Sequence, residues 1–178
     1  MEQKRIIITG MGAISPMGLN IRTLWDNLVA GKSGLGPITL FDTEGFDVRI
    51  AGEAWGFDPL DFMLPKEVRR ADRFSQFAIA ALQQVMSQSS LTIDEGNADD
   101  IGVLIGSGVG GIWTYTRELE VLQKKGPRRV NPFLIPSITV DTPGVHVALR
   151  TGARGPSFGI GSACATGSDA IGTAFETI

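Results

Sequence analysis

The sequence predicts an α/β protein in which a mostly parallel sheet carries helices on both faces. Two observations lead there: short apolar, β-branched runs closed by glycine, and amphipathic helical patterns lying between them. A run that is apolar throughout, rather than alternating with polar residues, belongs to a strand covered on both sides. Strands that alternate with helices pair in parallel through crossovers. The chain's 23 glycines cluster at turns and do not spread as low-complexity sequence, so disorder is not the reading.

The first strand is expected over Arg5–Thr9 (RIIIT), closed by Gly10. Asn20 can cap a helix over Ile21–Ala30, with Leu24, Trp25, Leu28 and Val29 as its apolar face and Gly31 as its stop. Residues 34–65, rich in Gly, Pro and Asp, read as a long surface excursion. The longest helix is expected over Arg70–Ser87, where Phe74, Phe77, Ala78, Ala81, Leu82, Val85 and Met86 recur three and four apart. Ile101–Ile105 is the second strand, and Ile112–Leu122 the next helix, through Tyr115, Leu119 and Leu122. Residues 126–143 carry four prolines and form a second excursion. Ser157–Ile160, entered by Gly155-Pro156, is a third strand, and Cys164–Ile178 opens a last helix through Ala165, Ile171, Ala174 and Phe175. The pattern stops inside that helix without glycine, proline or a polar tail, which predicts a truncated chain whose sheet has three strands at most.

Composition narrows the function classes. With 43% hydrophobic residues and a net charge of -3, the chain reads as an ordinary soluble globular protein with no implied affinity for nucleic acid or membrane. No apolar run approaches a bilayer span, and no leader-like stretch opens the chain, so a cytoplasmic location is the default. One cysteine and one histidine leave neither an internal disulfide nor enough soft ligands for zinc.

That cysteine, Cys164, lies between an apolar strand and the start of a helix. Unpaired N–H groups and the positive dipole end favour a thiolate there and can receive an oxyanion. Small neighbours, Ser162, Ala163, Ala165 and Gly167, would let a bulky thioester approach. By position alone a lone cysteine is more often a small buried hydrophobe.

A rival reading starts from Gly106-Ser107-Gly108-Val109-Gly110-Gly111, which satisfies G-x-G-x-x-G between a strand and a helix, the pattern of an NAD(P)-binding oxidoreductase. Such a fold needs an acidic residue about twenty positions on to bind the ribose. Gly126-Pro127-Arg128-Arg129 stands there instead, and no Gly-Lys-Ser/Thr completes a P-loop. These glycines read as tight turns.

Ser162-Ala163-Cys164-Ala165-Thr166-Gly167 resembles the nucleophile signature of the β-ketoacyl-acyl carrier protein synthases, of the thiolase-like superfamily. The resemblance covers the whole chain: Ile7 to Gly18 (IITGMGAISPMG) resembles the family's first strand and turn, and Ile105 to Gly111 its second. Asn131-Pro132-Phe133 and Gly155-Pro156-Ser157 resemble the approach to the nucleophile. Elongation-type synthases are the nearest branch. The resemblance implies a five-layer αβαβα fold, of which residues 1–178 supply most of the first half, truncated within the nucleophile helix.

It further implies a ping-pong reaction. An acyl group passes from acyl carrier protein to Cys164, whose own N–H forms part of the oxyanion hole; malonyl-carrier protein then loses carbon dioxide and the carbanion attacks the thioester. The family's two histidines and lysine lie in its second half, so these residues alone are expected to be inactive. No metal or organic cofactor is implied. Val109, Phe133 and Leu134 match the acyl-pocket lining, the latter two reaching across a homodimer whose interface includes Ser157–Ile160. Lys66, Arg69 and Arg70, which with Arg73 form a basic patch at the start of the longest helix, match positions that dock the acidic carrier. His146 matches no catalytic position and reads as structural. Val140-Asp141-Thr142-Pro143 departs from the family, where Asn followed by small or apolar residues is common. A silent condensing-enzyme partner subunit is a further alternative, but such chains typically replace the nucleophile, often with glutamine.

Overall fold

A computed structural model describes residues 5–178. The first helix, α1 (Ile21–Val29), begins where Asn20 Oδ1 accepts the Thr23 N–H at 2.8 Å, and the chain leaves it through Gly31 at φ 65°. A two-residue antiparallel ribbon follows, β1 (Gly36–Pro37) with β2 (Ile50–Ala51), inside the expected excursion. Next come the short α2 (Pro65–Val68) and the long α3 (Arg73–Ser89). Strand β3 (Val103–Gly106) leads into α4 (Ile112–Lys125), then α5 (Leu134–Ile138) and α6 (Thr142–Thr151). Strand β4 (Ser157–Ile160) ends the sheet, and α7 (Thr166–Thr177) follows it.

β3 and β4 pair in parallel, Val103 opposite Ser157 through Gly106 opposite Ile160. Side chains alternate across a strand, so Val103 and Gly106 face opposite ways. Val103 approaches Gly144 of α6, whereas a Cβ on Gly106 would meet Thr166 of α7. Helices therefore cover both faces of this pair, as its unbroken apolar runs require. The core gathers where α3, α6 and β3 meet: Met63, Ala71, Ile79, Val103 and Val147 are buried together, with Phe62, Leu82 and Ile105 against them.

The structure departs from the sequence expectations in four places. Residues 5–9 form no strand; Ile7 and Ile8 are 75% and 79% exposed. The segment that follows lies along α3, where a Cβ on Gly12 would stand 2.2 Å from Ala81 O. Gln84 and Gln88 hold it there through the backbone groups of Met11, Ala13 and Leu19. With its backbone paired to glutamine side chains, this part of the chain has no ladder to join.

The second difference concerns α3. Its buried residues are Ser75, Gln76, Ile79 and Ala80, while the expected apolar row is only half-buried, because the helix is covered on more than one side. Third, α3 starts at Arg73, not Arg70. Asp72 is extended (ψ 162°) and caps it, which leaves Lys66, Arg69 and Arg70 on α2 and the loop beyond. Finally, the apolar face of α1 is open: Trp25, Leu28 and Val29 are exposed.

Candidate active site

Cys164 is exposed and lies in a 3-10 turn, Ala163–Ala165, between β4 and α7. The regular helix starts two residues later than the cysteine, so the thiol precedes the helix rather than opening it. Ala163 holds φ 53°, a left-handed conformation that costs a residue with a Cβ roughly 1–2 kcal/mol. The turn is braced on both sides of this strained residue. Ser162 donates its backbone N–H to Thr166 Oγ1 at 2.9 Å, and its hydroxyl donates to the Asp169 carboxylate. Thr166 is itself buried, so the hydrogen bond from Ser162 ties the turn to a packed residue at the start of α7.

Glycines bring the neighbouring loop close. A Cβ on Gly106 would stand 2.3 Å from Thr166 Cγ2, and one on Gly108 would stand 3.4 Å from Ala163 O. The turn after β3 therefore rests directly on the cysteine turn, which brings Val109, 70% exposed, next in sequence to that contact. The far side of the same glycine turn presses on α5: Gly111 donates to Ile138 O at 2.9 Å, and a Cβ on Gly110 would meet that oxygen at 2.4 Å. Phe133 caps α5 and Leu134 is its first residue. One backbone stack thus runs from Cys164 through Val109 to α5.

Phe133 also belongs to a second group. The Arg70 guanidinium stands 4.3 Å over its ring, and Ser137 Oγ, bonded 2.7 Å from Phe133 O, lies 2.8 Å from Arg70 O. Arg69, Arg70 and Phe133 line one cleft of about 630 Å³, which contains neither Cys164 nor Lys66. Lys66 stands exposed on α2. Sequence reasoning placed Arg70 and Phe133 in separate roles; nothing in their spacing signals a cation–π contact between residues 63 positions apart. It also missed Asp72, Asp169 and Ser137, and took Ser162 only as a small neighbour of the cysteine; the roles of all four depend on through-space partners. The Asp72 cap before a long amphipathic run was the one available signal.

His146 is half-buried on α6, and burial holds its imidazole below the usual 6.5, with Glu67 partly opposing. It stands apart from the cysteine turn in the chain's organisation, as a residue of the layer on the other face of β3 and β4.

The glycine turn does not offer the amides a dinucleotide needs. Gly110 N–H donates to Ser107 Oγ at 2.9 Å, Gly111 to Ile138 O, and Thr114 to the Asp72 carboxylate at 2.6 Å. A negative group already occupies the start of α4, where a pyrophosphate would have to sit.

A 3-oxoacyl-[acyl-carrier-protein] synthase 2 of Staphylococcus aureus (strain COL) is 44% identical over 177 residues, covering 99% of this chain and 43% of that protein. Its namesake in Synechocystis sp. (strain ATCC 27184 / PCC 6803 / Kazusa) is 43% identical over 178 residues, covering 100% and 43%. The chain thus spans less than half the length of these relatives. Among solved structures, a Beta-ketoacyl synthase from Burkholderia phymatum STM815 superposes with a TM-score of 0.81 at 27% identity, over 99% of this chain and 44% of that one. The fold is therefore the thiolase-like fold of the ketosynthases. The profile of one family, Beta-ketoacyl synthase, N-terminal domain, matches residues 3–178, and the chain belongs to that family.

Proposed function

We propose that these residues form the amino-terminal part of a 3-oxoacyl-acyl carrier protein synthase that elongates fatty-acid or polyketide chains. The observation that carries this reading is an exposed cysteine in a strained, braced turn between β4 and α7, in a chain 44% identical along nearly its whole length to a synthase of that name. Cys164 Sγ attacks the acyl thioester, the carrier thiol leaves, and the acyl group rests on Cys164. Malonyl-carrier protein then loses carbon dioxide, and its carbanion displaces Cys164 to give the 3-oxoacyl product.

The Cys164 N–H supplies one oxyanion donor. Val109, Phe133 and Leu134 contribute apolar surface to the acyl chain, and Lys66, Arg69 and Arg70 meet the carrier protein. Groups that assist decarboxylation belong to the portion of the relatives' length beyond these residues. Among the described residues β4 pairs only with β3, which leaves its other edge open to a second copy and fits a homodimer. None of the described helices is long and apolar enough to cross a membrane, in keeping with work in the cytoplasm.

The test is to incubate the complete enzyme with a radiolabelled acyl-carrier protein and map the label. Attachment at Cys164, lost in Cys164→Ala, is expected; label elsewhere, or none, overturns the reading. Docking is tested by reversing Lys66 and Arg69 to Glu, which should raise KM for the carrier-bound substrate; an unchanged, salt-insensitive KM removes that assignment.

A further inference from the structure

Most amides of the cysteine turn are satisfied by the chain itself. Ser162 donates to Thr166 Oγ1 at 2.9 Å, Ala165 to Ser162 O at 3.2 Å, and Thr166 to Ala163 O. Among the described residues none accepts the Cys164 N–H, so that donor is free for another group. It belongs to the peptide that joins Ala163 to Cys164, and its direction follows the backbone angles of Ala163. Ala163 holds φ 53°, where an alanine does not stay unless its surroundings keep it there. A released turn would swing the Cys164 N–H away with that peptide.

The restraint falls on Ser162, the residue before. Its N–H and carbonyl are bonded within the turn, and its hydroxyl donates to the carboxylate of Asp169, in the first turn of α7. On the strand side, Ser107 N–H fixes the end of β4 through Ile160 O at 3.0 Å. The bond to Asp169 is therefore what anchors the Ser162 side chain beyond the turn itself, and a carboxylate acceptor makes it stronger than a bond between neutral groups. Among the described residues the Asp169 carboxylate has no other hydrogen bond and no ion pair. Asp169 and Ser162 are both exposed, so neither serves the core. What their bond does bear on is the peptide next to it.

We infer that Asp169 is a positioning residue for acyl transfer: through the Ser162 hydroxyl it holds the Ala163–Cys164 peptide so that the Cys164 N–H points at the thioester oxygen. The inference rests on the condensing-enzyme reading of Cys164. When the Cys164 thiolate adds to the thioester carbon, the carbonyl electron pair moves onto oxygen, and the Cys164 N–H stabilises that charge until the carrier thiolate leaves. Alkylation by iodoacetamide differs, because the same sulfur displaces iodide from a saturated carbon and no oxyanion forms. A group that aims the amide thus acts on acylation and not on alkylation.

Two rates measured on the complete enzyme test it: single-turnover acylation of Cys164 by a radiolabelled acyl-carrier protein, and alkylation of Cys164 by iodoacetamide. Asp169→Ala and Ser162→Ala should each slow acylation roughly fivefold to tenfold and leave alkylation within about twofold. Asp169→Asn keeps an acceptor oxygen and should recover most of the loss. The double variant Ser162→Ala/Asp169→Ala should be no slower than the slower single one, since both remove the same bond. Ser162→Ala deletes only a hydroxyl, so it decides if Asp169→Ala disturbs α7. Unchanged acylation in Asp169→Ala and Ser162→Ala overturns the inference. So does a parallel fall in both rates, which marks a loosened turn, and so do additive losses or an Asp169→Asn variant as slow as Asp169→Ala. The unsubstituted enzyme separates the two levels: no label on Cys164 removes the condensing-enzyme reading itself, whereas label with rates indifferent to Asp169 removes this inference alone.

Discussion

Asp72 Oδ2 accepts the backbone N–H of Thr114, 42 positions on in sequence, at 2.6 Å while Oδ1 accepts that of Phe74, so one carboxylate joins the starts of α3 and α4. Asp72 is only 4% exposed, and the negative charge meets the positive ends of two helices. Through α4 it also holds the glycine turn that packs on Ala163. Asp72→Ala should therefore cost about 2–4 kcal/mol in urea unfolding, from a lost cap and a lost charged hydrogen bond. Asp72→Asn keeps one acceptor and should cost clearly less; equal losses in the two variants would contradict this role.

Gly106 and Gly161 flank the same turn but differ in the space beside them. A Cβ on Gly106 meets Thr166 Cγ2 at 2.3 Å, whereas one on Gly161 finds Ser107 O at 3.6 Å. Thr166 is buried and β-branched, so it cannot swing away. Gly106→Ala is expected to destabilise by about 1–3 kcal/mol and to alter the rate at which Cys164 reacts with iodoacetamide. Gly161→Ala should change neither by much, which thermal unfolding and mass spectrometry will show.

Cys164 is exposed, so the folded protein should take up one equivalent of iodoacetamide without denaturant. Protection of the thiol until urea is added would contradict its placement on an open turn.

His146 titrates below 6.5 in the folded chain because burial disfavours its charged form. In the unfolded chain it takes up a proton more readily, so the unfolded state gains protons first as pH falls. Stability is therefore unaffected by this group above 6.5 and declines as pH drops through that value toward the lower folded one. His146→Gln should flatten this part of the pH dependence of Tm measured between about pH 7.5 and 5. Parallel curves for the two proteins would show that His146 does not contribute.

Much of the architecture was readable in the chain itself. Ser157–Ile160 is a strand over the expected residues, and Asn20 caps α1 as its side chain and position require. The parallel pairing followed from runs apolar throughout, and the position of Cys164 between strand and helix followed from local pattern. These features depend on a residue and its near neighbours in sequence, where periodicity, capping and turn chemistry act.

Tertiary structure decided the rest. Residues 5–9 had the composition of a strand but found no ladder, since the adjoining segment is held by Gln84 and Gln88. The break at Asp72 moved the basic residues onto α2 and its loop and brought Arg70 over Phe133. Periodicity shows that a side chain will be shielded from water, but not by which neighbour. A carboxylate that caps two helices, or a ring beneath a guanidinium, exists only once distant segments meet, and no local pattern encodes that meeting.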